Sequence, residues 1–270
     1  MDEYLKSNLE MWNEWAPLHA QSDFYDVEGF KNGRSSMLYP IEREEMGDVS
    51  GKSLLHLQYH FGMDTLSWAR QGAKVTGVDF SDKAIDLARA LSKELGIEAD
   101  FVCSNIYDLP ENLKGKFDIV YTSGGVLCWL PDLKRWAEII AHFLKPDGFF
   151  YIVEGHPFHH VFDDSSDATE LTASRSYFDI SEPETYETAG SYTGDQTEHP
   201  HTGHEWFHNM GDILNSLIQA GLRIEYLHES PVIFFKLYPF MEKDDNGLWR
   251  IKGDKIPLIF TLKATKYKGG

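Results

Sequence analysis

Between residues 53 and 155 short apolar runs alternate with amphipathic segments, and this restricts the chain to a small set of folds. Apolar runs without internal alternation are strands covered on both faces, and amphipathic stretches between them are crossover helices, so the pattern predicts a parallel sheet with helices on both sides. Strands are predicted over Leu54–Gln58, Lys74–Phe80, Ala99–Ser104, Phe117–Thr122 and Phe149–Glu154. Helices are predicted over Asp64–Gln71 with Asp64 as N-cap, from Ser81 to Gly96, near Asp132–Leu144 and over Gly211–Ala220. In the second of these Ala84, Ile85, Ala88, Leu91 and Leu95 recur at helical spacing, with Ser81 as the cap.

Two further strands, Arg223–Glu229 and Pro257–Lys266, close the pattern. The expected architecture is α/β: a doubly wound, mostly parallel seven-stranded sheet with an antiparallel edge strand and an insertion over one side. A single domain over 1–270 is expected, with 1–50 as an N-terminal cap segment. Residues 156–209, polar and rich in histidine, are too long for a simple connection and read as a lid-like insertion.

Charge and cysteine content limit the function. A formal net charge of -18 opposes a phosphate backbone, so nucleic acid is not expected as a partner. The two cysteines, Cys103 and Cys128, form neither a CxxC pair nor a zinc-like spacing, which suits the reducing cytoplasm. No basic leader and no run of about 20 apolar residues is found, so no membrane partner is expected. Nothing in the sequence indicates an oligomeric state.

The segment LLHLQYHFGMDTLSWARQGAKVTGVDFS resembles the first two strands of the Rossmann-like S-adenosylmethionine-dependent methyltransferases, and the resemblance extends to about Gly155. It is similar in particular to small-molecule methyltransferases carrying a His-Leu-Gln-x-His-Phe-Gly turn. The resemblance implies S-adenosylmethionine as cofactor and a small-molecule methyl acceptor. It places Asp79 on the ribose hydroxyls, Asn105 and Ile106 on the adenine with Phe80 stacked opposite, and Ser123 and Gly124 by the methionine ammonium. The family's acid-x-Gly-x-Gly-x-Gly turn falls on His56, Gln58, His60 and Gly62, so only the last glycine is kept. Gln58, Tyr59 and His60 are expected to touch the cofactor or to close its pocket, and Ser81 to lie beside it.

Methyl transfer to an O, N or acidic C nucleophile needs a group to take the acceptor's proton. Glu154 and His156 end the fifth strand, and His208 precedes the next helix. His156 is expected as the base, then His208 and Glu154, because imidazole titrates near neutrality. Trp129 and Trp136 read as core. Two rivals stand beside this reading. One is a protein that binds S-adenosylmethionine without catalysis, and the other is a zinc hydrolase using His204, Glu205 and His208 of the string HEWFH.

Overall fold

The computed structural model describes residues 2–34, 36–178, 182–245 and 247–266. Three helices come first: α1 (Glu3–His19), α2 (Val27–Lys31) and α3 (Pro40–Met46). The alternating region then gives β1 (Ser53–Leu57), α4 (Met63–Arg70), β2 (Lys74–Asp79), α5 (Asp82–Leu95) and β3 (Asp100–Cys103). It continues with α6 (Leu109–Asn112), β4 (Phe117–Thr122), α7 (Leu133–Phe143) and β5 (Leu144–Gly155). Beyond it lie a hairpin of β6 (Glu184–Gly190) and β7 (Gln196–Glu205), then α8 (Met210–Gln219) and β8 (Leu222–Ser230). Three two-residue strands, β9 (Val232–Ile233), β10 (Glu242–Lys243) and β11 (Trp249–Arg250), form a small sheet before β12 (Ile259–Lys266).

The main sheet has seven strands in the order β3-β2-β1-β4-β5-β12-β8. Only β12 runs against its neighbours, and it lies one position in from the edge, between β5 and β8. Successive residues of the central strands point to opposite faces. Leu55 and Val120 pack with Trp136 and Phe143 of α7, while Leu54 and Ile119 pack with Trp68 of α4. Both faces being covered, the strand sequences are apolar throughout rather than alternating.

Helix boundaries follow local chemistry. The Ser81 hydroxyl accepts from Ala84 N at 3.1 Å, and Gly96, at φ 63°, closes α5. Asp64 is not a cap. Gly62 ends the preceding turn in a left-handed conformation, φ 92°, and α4 starts directly at Met63, leaving Asp64 in the first helical turn with its side chain free to face the strand ends.

Helix α1 and the β6–β7 hairpin meet across nearly 200 residues of sequence. The buried Asn8 side chain donates to His204 O at 2.8 Å and accepts from His204 N at 2.9 Å, and Ser7 Oγ donates to Thr202 O at 2.6 Å. A Glu14–His201 pair at 2.7 Å extends the contact. Together they roof the carboxyl-terminal edge of the sheet. No helix among the described residues is long and apolar enough to cross a membrane.

Candidate functional site

Under this roof is a cavity of about 880 Å³ whose floor is the carboxyl ends of β1, β2, β4 and β5. Parallel strands end together at one edge, so the loops that leave them converge on one crevice, which is where doubly wound sheets take ligands. Gln58, Tyr59, His60 and Gly62 line it from the first turn, and Asp79 and Phe80 from the end of β2. Asn105 and Ile106 enter from the third strand's end, Ser123 and Gly124 from the fourth's.

The first turn keeps a glycine-type backbone without the glycines. Gln58 has φ 56°, His60 φ 60° and Gly62 φ 92°, all in the left-handed region that L side chains adopt at a cost of roughly 1 to 2 kcal/mol. In return the turn presents side chains. Gln58 Oε1 is buried and has no hydrogen-bond partner. The Tyr59 ring instead leans back on the sheet over Gly77, where a Cβ would come within 2.7 Å of it, so glycine at 77 is what admits the ring. His60 meets His19 of α1 across 3.0 Å, Nε2 to Nδ1, and burial holds both imidazoles below their usual pKa.

Asp79 joins two loops. Its carboxylate accepts from His60 N and from Ser81 N, each at 2.9 Å. Burial pushes its pKa up to about 7 against the pull of these amides. Asn105 turns its Oδ1 to Tyr107 N at 2.9 Å.

Residues 57–152 match the protein family described as "Methyltransferase domain". The chain is 30% identical over 109 residues to the ubiquinone biosynthesis O-methyltransferase of Bordetella pertussis, an overlap of 40% of this chain and 45% of that one. With the enzyme of the same description from Idiomarina loihiensis it shares 34% over 98 residues, 36% of this chain and 40% of the other. The chain therefore spans less than half the length of these relatives. An S-adenosylmethionine-dependent methyltransferase from Clostridium acetobutylicum superposes with a TM-score of 0.59 at 14% identity, covering 96% of this chain and 100% of that chain. One from Mesorhizobium loti gives 0.58 at 21%, covering 83% and 95%. The fold is that of the S-adenosylmethionine-dependent methyltransferases.

Within this methyltransferase fold several expected residues take other places. Ser81 does not line the cavity, because its hydroxyl is spent on capping α5 and on Asn13 Oδ1 at 2.6 Å. Nor does His156. Pro157 starts a 3-10 turn directly after β5, and the His156 ring folds back to cap it, Nδ1 accepting from Phe158 N at 3.1 Å while Nε2 lies 2.8 Å from Glu229. Glu154 does line the cavity, but its oxygens accept from Gly125, Val126, Leu127 and Gly155 amides at 2.6 to 3.0 Å. It fixes the loop after β4.

His208 lines the cavity with a defined tautomer: Nε2 lies 2.6 Å from Leu130 O, a carbonyl that can only accept, so the proton is on Nε2 and the lone pair on Nδ1. Burial lowers its pKa. The HEWFH string is not a helix. His204 and Glu205 end β7 and the next three residues are coil, so His204 and His208 share no helical face, and His204 Nδ1 bonds Thr185 at 2.9 Å. Among the described residues no group of three or more His, Cys, Asp or Glu is placed to hold a metal.

The sequence missed other lining residues. Trp129 is not core like Trp136. It faces the cavity, edge-on to Trp12 of α1 at 5.3 Å. Glu205 also lines the cavity, with Tyr186 Oη donating to it at 2.8 Å. Glu42 of α3 and Asp64 of α4 complete the wall near Ser123. Asp64 lies two residues past the turn's last glycine and could have been found there, whereas Glu42 lies outside every recognisable pattern.

Proposed function

We propose that this protein transfers a methyl group from S-adenosylmethionine to a small-molecule acceptor held under α1 and the β6–β7 hairpin. One observation carries the reading: Asp79 ends β2 on the floor of a cavity that the left-handed turn 58–62 enters, leaving Gln58 Oε1 buried and unsatisfied. A buried acceptor without a donor costs about 1 to 3 kcal/mol, so the site fits a ligand that brings one. Bound there, the cofactor would supply an electrophilic methyl group on a sulfonium.

The residues then divide the work. Asp79 would accept the ribose hydroxyls, Phe80, Asn105 and Ile106 would hold the adenine, and Ser123 and Gly124 the methionine portion. Glu154 acts through the loop it clamps, fixing Gly125 to Leu127 in the cavity wall. His208 takes the acceptor's proton on Nδ1, the nitrogen that its bond to Leu130 leaves bare. The aromatic roof of Trp12 and Trp129 excludes water from the transfer. The acceptor is small and not a nucleic acid, given the net charge of -18, and two free cysteines suit the cytoplasm.

Titration calorimetry with S-adenosylhomocysteine tests the cofactor site. Asp79→Ala should weaken binding by roughly 2 to 4 kcal/mol through lost charge-assisted hydrogen bonds. Affinity equal to wild type would remove the placement.

A further inference from the structure

In the family turn the first position is acidic, and here it is His56, which cannot replace a carboxylate. The ring is completely buried, and burial holds its pKa down at about 3, so it is neutral. Its Nδ1 lies 2.8 Å from Thr65 Oγ1 and its Nε2 3.1 Å from Ser123 Oγ. Ser123 in turn hydrogen-bonds Asp64. Proton directions follow along the chain: Thr65 donates to Nδ1, Nε2 donates to Ser123, and the Ser123 hydroxyl is left to donate to the carboxylate. The carboxyl stands not at the end of β1 but in the first turn of α4, where the helix N-terminus favours its ionised form.

Across from Asp64 stands Glu42, contributed by α3 and therefore from outside the segment 57–152 that matches the methyltransferase domain. It is 1% exposed, accepts from the Tyr121 hydroxyl and from Tyr39 N at 2.8 Å, and lines the same cavity. Gln58, whose Oε1 has no partner, shares that wall. The set is two carboxyls and one free carbonyl oxygen, all acceptors, with no Lys or Arg side chain among them. Such a set recognises an ammonium group.

Resting on the function proposed above, we infer that Asp64, with Glu42 and Gln58 beside it, binds the α-ammonium of the cofactor's methionine, next to a turn whose first position is the neutral His56. The groups facing the pair are Tyr25 from the chain after α1, Tyr39 ahead of α3, Tyr121 of β4, Tyr151 of β5, Tyr192 of the hairpin, and Arg43 of α3, which acts on Glu42. Without a bound cation, burial pushes the pKa of Asp64 up to about 7 and that of Glu42 to about 8. An arriving ammonium favours the ionised forms, so binding expels protons and tightens as pH rises from 6 to 8.5.

Calorimetry with two ligands in phosphate and in Tris buffers separates the inference from the function beneath it. S-adenosylhomocysteine carries the ammonium, whereas 5′-methylthioadenosine keeps the adenine and ribose and lacks it. Asp64→Asn should weaken S-adenosylhomocysteine about 10- to 100-fold and leave methylthioadenosine unchanged, which also shows that the variant is folded. At pH 7 the wild type should release about one to one and a half protons more with the first ligand than with the second, and Asp64→Asn should reduce the difference by about half a proton, leaving the share of Glu42. Glu42→Gln mimics the protonated side chain, so its affinity should equal wild type at pH 6 and fall below it at pH 8.5. Equal losses of both ligands in Asp64→Asn, or no loss of either, would overturn the assignment of Asp64, and a Glu42→Gln defect independent of pH would overturn that of Glu42. Failure of the wild type to bind either ligand would instead remove the proposed function itself.

Discussion

At the scale of single residues, the turn 58–62 trades stability for contact. Gln58 sits in the left-handed region although nothing but its side chain argues against glycine there. Gln58→Gly should relieve strain of roughly 1 to 2 kcal/mol, offset in part by the greater freedom of glycine in the unfolded chain, for a net gain of about 0.5 kcal/mol. The same change removes Oε1 and should weaken S-adenosylhomocysteine. Denaturant unfolding and calorimetry on one preparation check both signs, and a variant that is less stable yet binds normally would make Gln58 a packing residue. His208 gives a second test. Its replacement by Ala should lower turnover by roughly 10² to 10⁴ while S-adenosylhomocysteine binds as before, because a base acts on the acceptor's proton. Residues at strand ends, such as Asp79 and Asn105, were legible in the sequence because the strands themselves were. His156 was not, since the Pro157 turn captured its ring, a matter of a few local dihedrals that periodicity does not carry. The cap expected at Asp64 fails because the left-handed Gly62 takes the N-cap position and starts the helix at Met63, two residues earlier.

At the scale of elements, the roof is a contact between α1 and β7 centred on Asn8, whose amide satisfies both backbone groups of His204. Asn8→Ala leaves a buried N–H and C=O without partners, a loss of about 1 to 3 kcal/mol confined to the roof. Amide exchange in 184–205 should quicken while β1, β2 and β4 keep their protection. Uniform acceleration through the sheet would show that roof and sheet open as one unit. Strands β1 to β4 and helices α5 and α7 are readable to within a residue or two, since buried faces write a continuous apolar signal, whereas β5 starts at Leu144, five residues ahead of the apolar run from Phe149. The hairpin is not readable. Its strands are exposed or half-exposed for most of their length and polar, and their seat is α1, far away in sequence, so the segment looks like a loop until its partner is known. The position of β12 inside the edge strand escaped for a related reason: two apolar runs do not say which lies next to β5.

For the molecule as a whole, buried titratable groups set the response to pH. In the free protein Glu42, Asp64 and Asp79 hold their protons to about pH 8, 7 and 7, far above an open chain. Folded chains then bind more protons than unfolded ones, and the stabilisation is lost as pH rises. His19, His56 and His160 work the other way. Burial holds them at about 4, 3 and 4, so stability falls as pH drops below 6.5. The two sets oppose one another between about 4.5 and 6.5, and above 6.5 the carboxyls act alone. Unfolding free energy should therefore decline between pH 6.5 and 8.5, by on the order of 2 kcal/mol. S-adenosylhomocysteine, which favours the ionised forms, should flatten the decline, so the shift in Tm that it produces should grow with pH. Thermal unfolding at pH 6.5, 7.5 and 8.5 with and without the ligand decides this, and a ligand shift that shrinks with pH would mean that these carboxyls do not face the cofactor. The Asn8 contact has another consequence, in the order of synthesis. At about 5 to 20 residues per second, α1 leaves the ribosome roughly 10 to 40 s before the stretch that contains His204. The nascent chain thus completes the floor of its cavity while the hairpin is still being translated, and α1 must wait for β7 before the Asn8 contact can form.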